Sequence, residues 1–320
     1  MKRFHLLSAA ICISVNLIVL VIAAPSSAVP IDRYLWGSNP PNFTDAEKNS
    51  GSSDDKYCWA AAASNVLEWG GWDAGFSGED QIFNEFKSYW SPDYGSWSRF
   101  GWEWWFSGSV TADWAWTGLQ PDSSDYDPHP NAPNGYYTKT EYDDNLRVWE
   151  SQTPSNDFFS DADNQIKAFV DDGYGTTMSV NFYDGNSDDP TGSHAITLWG
   201  YQYDDVTGDI LGIHFTDSDD RESSTASGSE TAALNELIYR DIFFSSYFDS
   251  WYIDSYGSQP FNSIGFMSGL LPNTDNGDTP PIPEHGSGCD RSAGACRHQK
   301  QIENGIKNMF TDPGNPLLLW

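Results

Sequence analysis

One cysteine stands at the start of a helical pattern, in the segment DDKYCWAAAASNVLEW. An apolar residue recurs every three or four positions and four alanines follow one another, which predicts a helix over Cys58–Trp69. A thiol in the first turn of a helix lies near unpaired backbone N–H groups and the positive end of the helix dipole, which lower its pKa and favour the nucleophilic thiolate. The same N–H groups can stabilise the oxyanion that forms when a thiolate attacks a carbonyl carbon. Cys58 is therefore a candidate nucleophile, and the alternative is a small buried side chain.

Cysteine usage sets Cys58 apart from the other three cysteines of the chain. Cys12 lies in an N-terminal segment with a basic start, an apolar run and small residues before a cleavage site after Ala28, which is typical of a secretory signal peptide; the alternative is a membrane anchor. Cys289 and Cys296 close a small loop in CDRSAGAC and are predicted to form a disulfide. In an oxidising compartment the remaining single thiol indicates reactivity or intermolecular pairing.

A cysteine nucleophile needs a base, and the base needs a group that orients it. Beyond residue 28 the candidates are His129, His194, His214, His285 and His298. His194 opens the strand pattern SHAITLWGYQY, and the pattern DILGIHFT follows it across DDVTG, which predicts an antiparallel hairpin. One register of that hairpin opposes His194 to Asp217 and the next opposes it to Asp219. Both aspartates point to one face, so either register places a carboxylate beside the imidazole, where it would fix the tautomer and stabilise imidazolium.

Two readings compete with this interpretation. The segment DSDD, which holds both aspartates, is also compatible with an ordinary acidic turn. His214 lies inside the second strand of the hairpin and is interpreted as a hydrogen-bonded structural imidazole.

The two blocks DDKYCWAAAASNVLEW and SHAITLWGYQYDDVTGDILGIHFTDSDD resemble the motif blocks of the secreted bacterial immunoglobulin-G-degrading cysteine endopeptidases, the IdeS/Mac family. The resemblance implies a papain-like cysteine protease in which Cys58 is the nucleophile, His194 the base and Asp217 its orienting acid, with Asp219 as a supporting acid. It also implies that Lys48, ten residues before the nucleophile, helps to form the oxyanion hole; the alternative for Lys48 is a surface lysine. The resemblance does not extend to immunoglobulin as the substrate.

The pattern of elements predicts an α+β fold, because helical patterns dominate the first half and strand patterns the second. With the resemblance, this becomes a papain-like cysteine protease fold: the nucleophile begins a helix that packs on an antiparallel sheet, and the sheet carries the histidine and the aspartate. Three regions are expected: a signal peptide over 1–28, the papain-like catalytic domain over 29–271, and a Pro/Gly-rich linker and C-terminal tail with the small cysteine loop over 272–320. The protein is therefore expected to be secreted.

Composition limits the partners that the protein can have. The formal net charge is −30 and aromatic residues make up 15% of the chain, which indicates a folded protein with an acidic surface that avoids nucleic acid and anionic membranes. Acidic stretches such as SDADN, NSDDP and NTDNGD do not match the twelve-residue calcium loop, and neither zinc spacing nor a phosphate-binding glycine loop is present. No cofactor or metal is predicted, and the expected partner is a protein or peptide substrate.

The stretch 90–116 contains seven of the fifteen tryptophans. Aromatic core packing is the preferred interpretation, and an aromatic wall on the substrate cleft or a sugar-stacking surface is the alternative. The predicted function is that of a secreted cysteine endopeptidase acting through a Cys-His-Asp acyl-enzyme. The alternatives are an amidase or acyl transferase with the same residues, and a non-catalytic carbohydrate- or protein-binding module that uses the tryptophan-rich stretch.

Overall fold

The computed structural model describes residues 29–35, 43–48, 56–91, 98–110, 126–150, 161–183, 192–219, 237–246, 250–256 and 261–274. The predicted signal peptide over 1–28, the predicted disulfide between Cys289 and Cys296, and residues 275–320 of the predicted tail lie outside these ranges.

Five helices lie in the described part of the chain: α1 (Cys58–Trp69), α2 (Glu79–Tyr89), α3 (Ser98–Ser107), α4 (Lys139–Asn145) and α5 (Ala162–Asp171). The helix predicted over Cys58–Trp69 is confirmed, and it ends at Gly70, from which the chain turns through Gly71 with a positive φ of 69°. Of the helices that the structure describes, none is long and apolar enough to cross a membrane.

The strands that the structure describes are β1 (Pro30–Tyr34), β2 (Leu146–Glu150), β3 (Gly175–Tyr183), β4 (Gly192–Asp204), β5 (Ile210–Thr216), β6 (Ile238–Ser245), β7 (Ser250–Ile253) and β8 (Phe261–Leu270). Six of them form a closed antiparallel barrel in the order β4-β3-β8-β7-β6-β5, which returns to β4. The remaining two are additions to the barrel wall, β1 on β4 and β2 on β8.

The closed barrel shows that the predicted papain-like α+β fold is wrong. That prediction packed the helix of the nucleophile on an antiparallel sheet, whereas the structure has a closed barrel, in which β4 pairs with β5 on one side and β3 on the other. Closure satisfies the backbone N–H and C=O groups that an open sheet would leave along its two edges. Helix α1 lies outside the barrel wall, where Trp69 packs edge-on against Trp199 of β4 with ring centroids 6.4 Å apart.

Bulges bend the strands where the barrel curves. The β4–β5 register shifts between Leu198 and Gly200, and the β3–β8 register shifts after Ser179. Gly200 is needed at its bulge, because a Cβ there would lie 2.4 Å from the carbonyl oxygen of Arg33 on β1. A glycine therefore allows β1 to approach the barrel at this point.

Two hydrophobic cores lie in the described part of the chain. The first joins barrel strands to α5 and to Trp69 of α1, and it includes fully buried residues of alternate strand positions: Met178, Val180, Ile196, Leu198, Ile213 and Phe215. The second lies among α1, α2 and α3 and is dominated by aromatic rings: Trp59, Phe83, Phe86, Trp102, Trp104 and Trp105. Because α1 contributes to both cores, its position relative to the barrel is fixed by packing on two sides.

The tryptophan-rich stretch belongs mainly to the second core. Trp90, Trp102, Trp104 and Trp105 are each at most 4% exposed, which confirms aromatic core packing for these four and removes them as a sugar-stacking surface. Trp97, Trp114 and Trp116 lie outside the described residues.

Candidate active site

At the start of α1, the Cys58 thiol lies beside His194 and Ala195, near the beginning of β4. Cys58 is a free cysteine and is partly exposed. The His194 side chain and the backbone N–H of Ala195 lie within hydrogen-bonding reach of its sulfur, and both lower the pKa of the thiol. The first N–H groups of a helix have no carbonyl partner within the helix, and the Cys58 N–H is one of these groups.

His194 lies near the start of β4, with its imidazole held between Cys58 and two carboxylates. Nε2 lies 2.6 Å from Oδ1 of Asp217, and Nδ1 lies 3.6 Å from Oδ2 of Asp219. Because Asp217 occupies Nε2, Nδ1 is the ring nitrogen left for the thiol. The Asp217 side chain is fully buried and that of His194 is 7% exposed, so this interaction takes place away from bulk water.

The hairpin that was predicted to bring these residues together is confirmed: β4 and β5 are antiparallel neighbours. At the end nearest His194, Thr197 opposes Thr216, which is the register in which His194 would face Asp219. Paired backbone ends there, and the chain after β5 carries Asp217 to Nε2 and Asp219 to the Nδ1 side. The structure thus brings both predicted carboxylates to one imidazole.

Residues 43–48, called here the Lys48 segment, complete the cluster. The Lys48 ammonium forms an ion pair with Oδ1 of Asp219, and the Lys48 backbone N–H donates to the Ser218 carbonyl at 3.0 Å. The Lys48 side chain is only 2% exposed, so the surface-lysine alternative is wrong. A buried ammonium at this place adds a positive charge beside the thiol.

The electrostatics favour a thiolate and an imidazolium. Burial raises the pKa of the Cys58 thiol, whereas the charge and hydrogen bond of His194 and the charge of Lys48 lower it. The lowering is the larger effect, so the pKa lies below its ordinary value. Burial lowers the pKa of His194, but Asp217 and Asp219 raise it well above its ordinary range. Together these shifts favour transfer of the thiol proton to the imidazole.

The carboxylate and the ammonium also stay charged. Burial raises the pKa of Asp217, but His194 lowers it by charge and by hydrogen bonding, and the net effect is a pKa below the ordinary value. Burial lowers the pKa of Lys48, but the nearby Cys58 and Asp219 raise it, and the net pKa lies above its ordinary value. Each buried charge is thus compensated by a neighbour of opposite sign.

The same cluster is the one place among the described residues where three metal-ligand side chains come together, since atoms of His194, Asp217 and Asp219 lie within 4.8 Å of one another. Lys48 already provides the positive charge at Asp219, and the imidazole contacts Asp217 directly. The groups therefore compensate one another, which fits a proton-transfer site better than a metal centre.

Two residues that support the site were missed in the sequence. Asn65 of α1 accepts a hydrogen bond from the Ala46 N–H at 2.7 Å and donates to Thr197 Oγ1 at 3.0 Å, which joins the Lys48 segment, α1 and β4. Tyr256 donates to Oδ2 of Asp217 at 2.7 Å. Asn65 is a polar residue next to the apolar face of the predicted helix, and this polar position could have indicated a buried hydrogen-bonding role. No local pattern marks Tyr256.

The two other histidines that the structure describes, His129 and His214, do not join the site. The structural interpretation of His214 is confirmed, because its Nε2 lies 3.0 Å from Oδ1 of Asp32 and burial keeps its pKa below the ordinary value. His129 is buried between Glu85 and Tyr136, at 3.0 and 2.7 Å from its Nε2. His285 and His298 lie outside the described residues.

Comparison of the chain with known proteins found no match among the protein-family models or among the curated proteins.

Proposed function

We propose that the protein is a cysteine endopeptidase that hydrolyses peptide bonds through an acyl-enzyme on Cys58. The observation that carries the proposal is the contact between the Cys58 thiol and an imidazole whose Nε2 lies 2.6 Å from the buried Asp217 carboxylate. Nucleophilic acyl transfer requires a nucleophile beside a base, and the base beside an acid that orients it. These are also the residues at which the chain resembles the immunoglobulin-G-degrading endopeptidases.

The first half of the proposed reaction makes the acyl-enzyme. Thiolate Sγ attacks the carbonyl carbon of the peptide, a C–S bond forms, and the carbonyl oxygen becomes an oxyanion. The Cys58 N–H and the Lys48 ammonium stabilise that charge. The C–N bond then breaks as imidazolium Nδ1 of His194 gives its proton to the leaving amine.

The second half releases the acid. His194, now neutral, takes a proton from a water molecule while the water oxygen attacks the acyl carbon. The C–S bond breaks, and the thiolate leaves beside a re-formed imidazolium. Asp217 keeps Nε2 protonated throughout and stabilises the positive ring in each half of the cycle.

The strongly negative net charge is compatible with a protease that acts outside the cell, and it disfavours binding to nucleic acid. We propose export through the N-terminal segment and a protein or peptide as the substrate, with amidase or acyl-transfer activity as the alternative use of the same residues. A non-catalytic binding module has less support, since four of its candidate tryptophans are buried.

The proposal is tested by digesting a denatured proteome under reducing conditions with the full chain and with Cys58→Ala, and identifying new peptide termini by mass spectrometry. We expect new termini with the wild type and none above background with Cys58→Ala, because the thiolate forms the covalent bond. Cys58→Ala has a matched control in Ser64→Ala, a buried α1 residue whose hydroxyl donates to its own helix at 2.7 Å; it should retain cleavage. Equal cleavage by the wild type and Cys58→Ala, or none by either, contradicts the proposal.

A further inference from the structure

Tyr256 lies three residues after the end of β7 and packs among residues of the barrel strands next to the candidate active site. Its side chain is fully buried, and its hydroxyl donates to Oδ2 of Asp217 at 2.7 Å. The ring packs edge-on against Phe215 at 5.5 Å and lies parallel to Phe182 at 6.4 Å. The backbone carbonyl of Tyr256 accepts a hydrogen bond from the Asn262 side chain. The hydroxyl is thus aimed at Asp217 by packing on its ring and by a bond to its backbone.

With this bond, both oxygens of the Asp217 carboxylate are held. Oδ1 faces His194 Nε2 at 2.6 Å and also accepts from the Asp219 N–H at 3.1 Å. Oδ2 accepts from Tyr256. A carboxylate held at one oxygen alone can rotate about its Cβ–Cγ bond, whereas one held at both keeps a fixed direction toward the imidazole.

We propose that Tyr256 is a positioning residue for the Cys58–His194 pair: its hydroxyl holds the buried Asp217 carboxylate in its ionised form and in the direction of His194. This inference rests on the proposed function, because it assigns Tyr256 a part in the same reaction. Tyr256 itself contacts neither the thiol nor a substrate in this scheme, and it acts through Asp217.

The effect of Tyr256 has a definite sign. Among the groups around Asp217, the charge and hydrogen bond of His194 and the hydroxyl of Tyr256 favour the carboxylate and lower its pKa. Lys48 also faces it with a positive charge, and the Asp219 backbone N–H, which donates to Oδ1, lowers the pKa as well. Burial acts in the opposite direction, as does the negative charge of the Asp219 side chain. Loss of the hydroxyl therefore makes Asp217 accept a proton at higher pH, and His194 then loses the charge that keeps it an imidazolium beside Cys58.

Tyr256→Phe in the full chain tests this by the rate of alkylation of Cys58 with iodoacetamide, measured from acid to mildly alkaline pH. We expect the acid limb of the rate profile to move to higher pH by about one unit, the size expected for one hydrogen bond to an ionised group. We expect kcat/KM for a cleaved peptide to fall by about tenfold. A purely structural tyrosine would lower thermal stability and leave the acid limb where it is.

Tyr201→Phe is the matched control. Tyr201 is also buried in the barrel core, and its hydroxyl donates to both oxygens of Asp171 at 3.1 Å. It lies seven residues beyond His194 on β4, about 23 Å away along an extended strand. We expect Tyr201→Phe to lose stability without moving the acid limb. An equal shift in both variants, or no shift in Tyr256→Phe, overturns the positioning role.

A double-mutant cycle shows whether the effect passes through the carboxylate. In an Asp217→Asn background we expect Tyr256→Phe to add no shift, since the amide does not titrate. A shift of the full size in that background overturns the role.

If Tyr256→Phe does not fold, 3-fluorotyrosine at position 256 replaces it as the test. This residue keeps the ring and the hydroxyl, and its hydroxyl donates a stronger hydrogen bond. It should move the acid limb to lower pH, and an unmoved limb overturns the role.

The failure of this inference differs from the failure of the proposed function. If the wild type cleaves peptides and its Cys58 is alkylated rapidly, but Tyr256→Phe has the same acid limb, only the positioning role of Tyr256 is wrong. If the wild type cleaves nothing and its Cys58 is alkylated at the rate of an unfolded thiol, both the positioning role and the proposed function are wrong.

Discussion

Five ionisable groups make up the candidate active site, and in the charge states that the electrostatics favour their signs alternate. The thiolate of Cys58 faces the imidazolium of His194, which faces the carboxylates of Asp217 and Asp219, and Asp219 forms an ion pair with Lys48. A single buried charge costs several kcal/mol, and this cost is offset only when partners and hydrogen bonds are complete. The alternation therefore explains how five ionisable groups occupy one partly buried site.

At the residue scale, Asp217→Asn is expected to change the response to acid. The pKa of Asp217 is lowered in the folded state, so its stabilisation is fully present above about pH 3.9, the unfolded value, and is lost as the pH falls through the folded value. The variant should lose about 3–5 kcal/mol at neutral pH, and its free energy of unfolding should fall less steeply than that of the wild type in this acid window. Urea unfolding at several pH values measures both.

A more exposed carboxylate provides the comparison for that experiment. Asp163 forms an i,i+4 ion pair with Lys167 at 3.7 Å on α5, and Asp163→Asn should cost less than about 1 kcal/mol. Parallel pH slopes for the wild type and Asp217→Asn would contradict the ionised, buried state of Asp217.

The residues of the site differ in how far the sequence predicts them. Cys58 and its helix follow from local periodicity, and the carboxylates near His194 follow from the register of one hairpin. Tyr256 is 39 residues from Asp217 along the chain, and the two meet only because β5, β6 and β7 complete the barrel. Such a contact leaves no mark on local sequence, since it depends on pairings that the sequence does not specify locally.

At the element scale, the Lys48 segment owes its position to hydrogen bonds rather than to its own secondary structure. The Thr44 hydroxyl donates to the Asn65 carbonyl at 2.8 Å, the Asn65 side chain accepts from Ala46, and the Lys48 N–H donates to Ser218. These bonds connect the segment to α1 and to the chain after β5, the two places that carry Cys58 and Asp217. Asn65 is therefore the side chain that couples the three parts.

Asn65→Ala is expected to lower the free energy of unfolding by about 1–3 kcal/mol, because it leaves buried hydrogen-bonding groups of Ala46 and Thr197 without partners. It should also lower kcat more than it raises KM, since the Lys48 segment would hold its ammonium less firmly. Chemical denaturation and peptide hydrolysis measure the two effects. The control is Asn164→Ala, which removes an exposed hydrogen bond from Asn164 of α5 to Asp161, the residue before that helix. It should change neither stability nor activity. An Asn65→Ala variant with the same properties as Asn164→Ala would contradict the coupling.

The elements were easier to predict than their assembly. The helix over Cys58–Trp69 and the β4–β5 hairpin depend on neighbours within about 25 residues, and both are confirmed. The papain-like α+β prediction is wrong because β3 pairs with β8, some 85 residues later, and because β7 and β6 close the ring back to β5. Strand periodicity predicts a strand and its two faces, but it contains no information on which distant strand pairs with it.

At the scale of the whole molecule, a net charge of −30 opposes the compact state. We expect the melting temperature to rise when NaCl increases from about 0.01 M to about 1 M, since the Debye length falls from about 30 Å to about 3 Å. Thermal unfolding by circular dichroism measures this rise. KCl should give the same result, because screening does not depend on the cation; a fall, or a rise with one cation alone, would contradict self-repulsion.

The central claim is that Cys58 and His194 form a thiolate–imidazolium pair, and the most direct test is the ultraviolet absorbance of the thiolate as a function of pH. The signal of interest is the difference between the folded full chain and its Cys58→Ala variant. The account predicts that thiolate absorbance persists to a pH below the ordinary thiol range, and that in His194→Ala the titration moves back toward that range. A single titration near the ordinary thiol pKa of about 8.5, unchanged by His194→Ala, would contradict it.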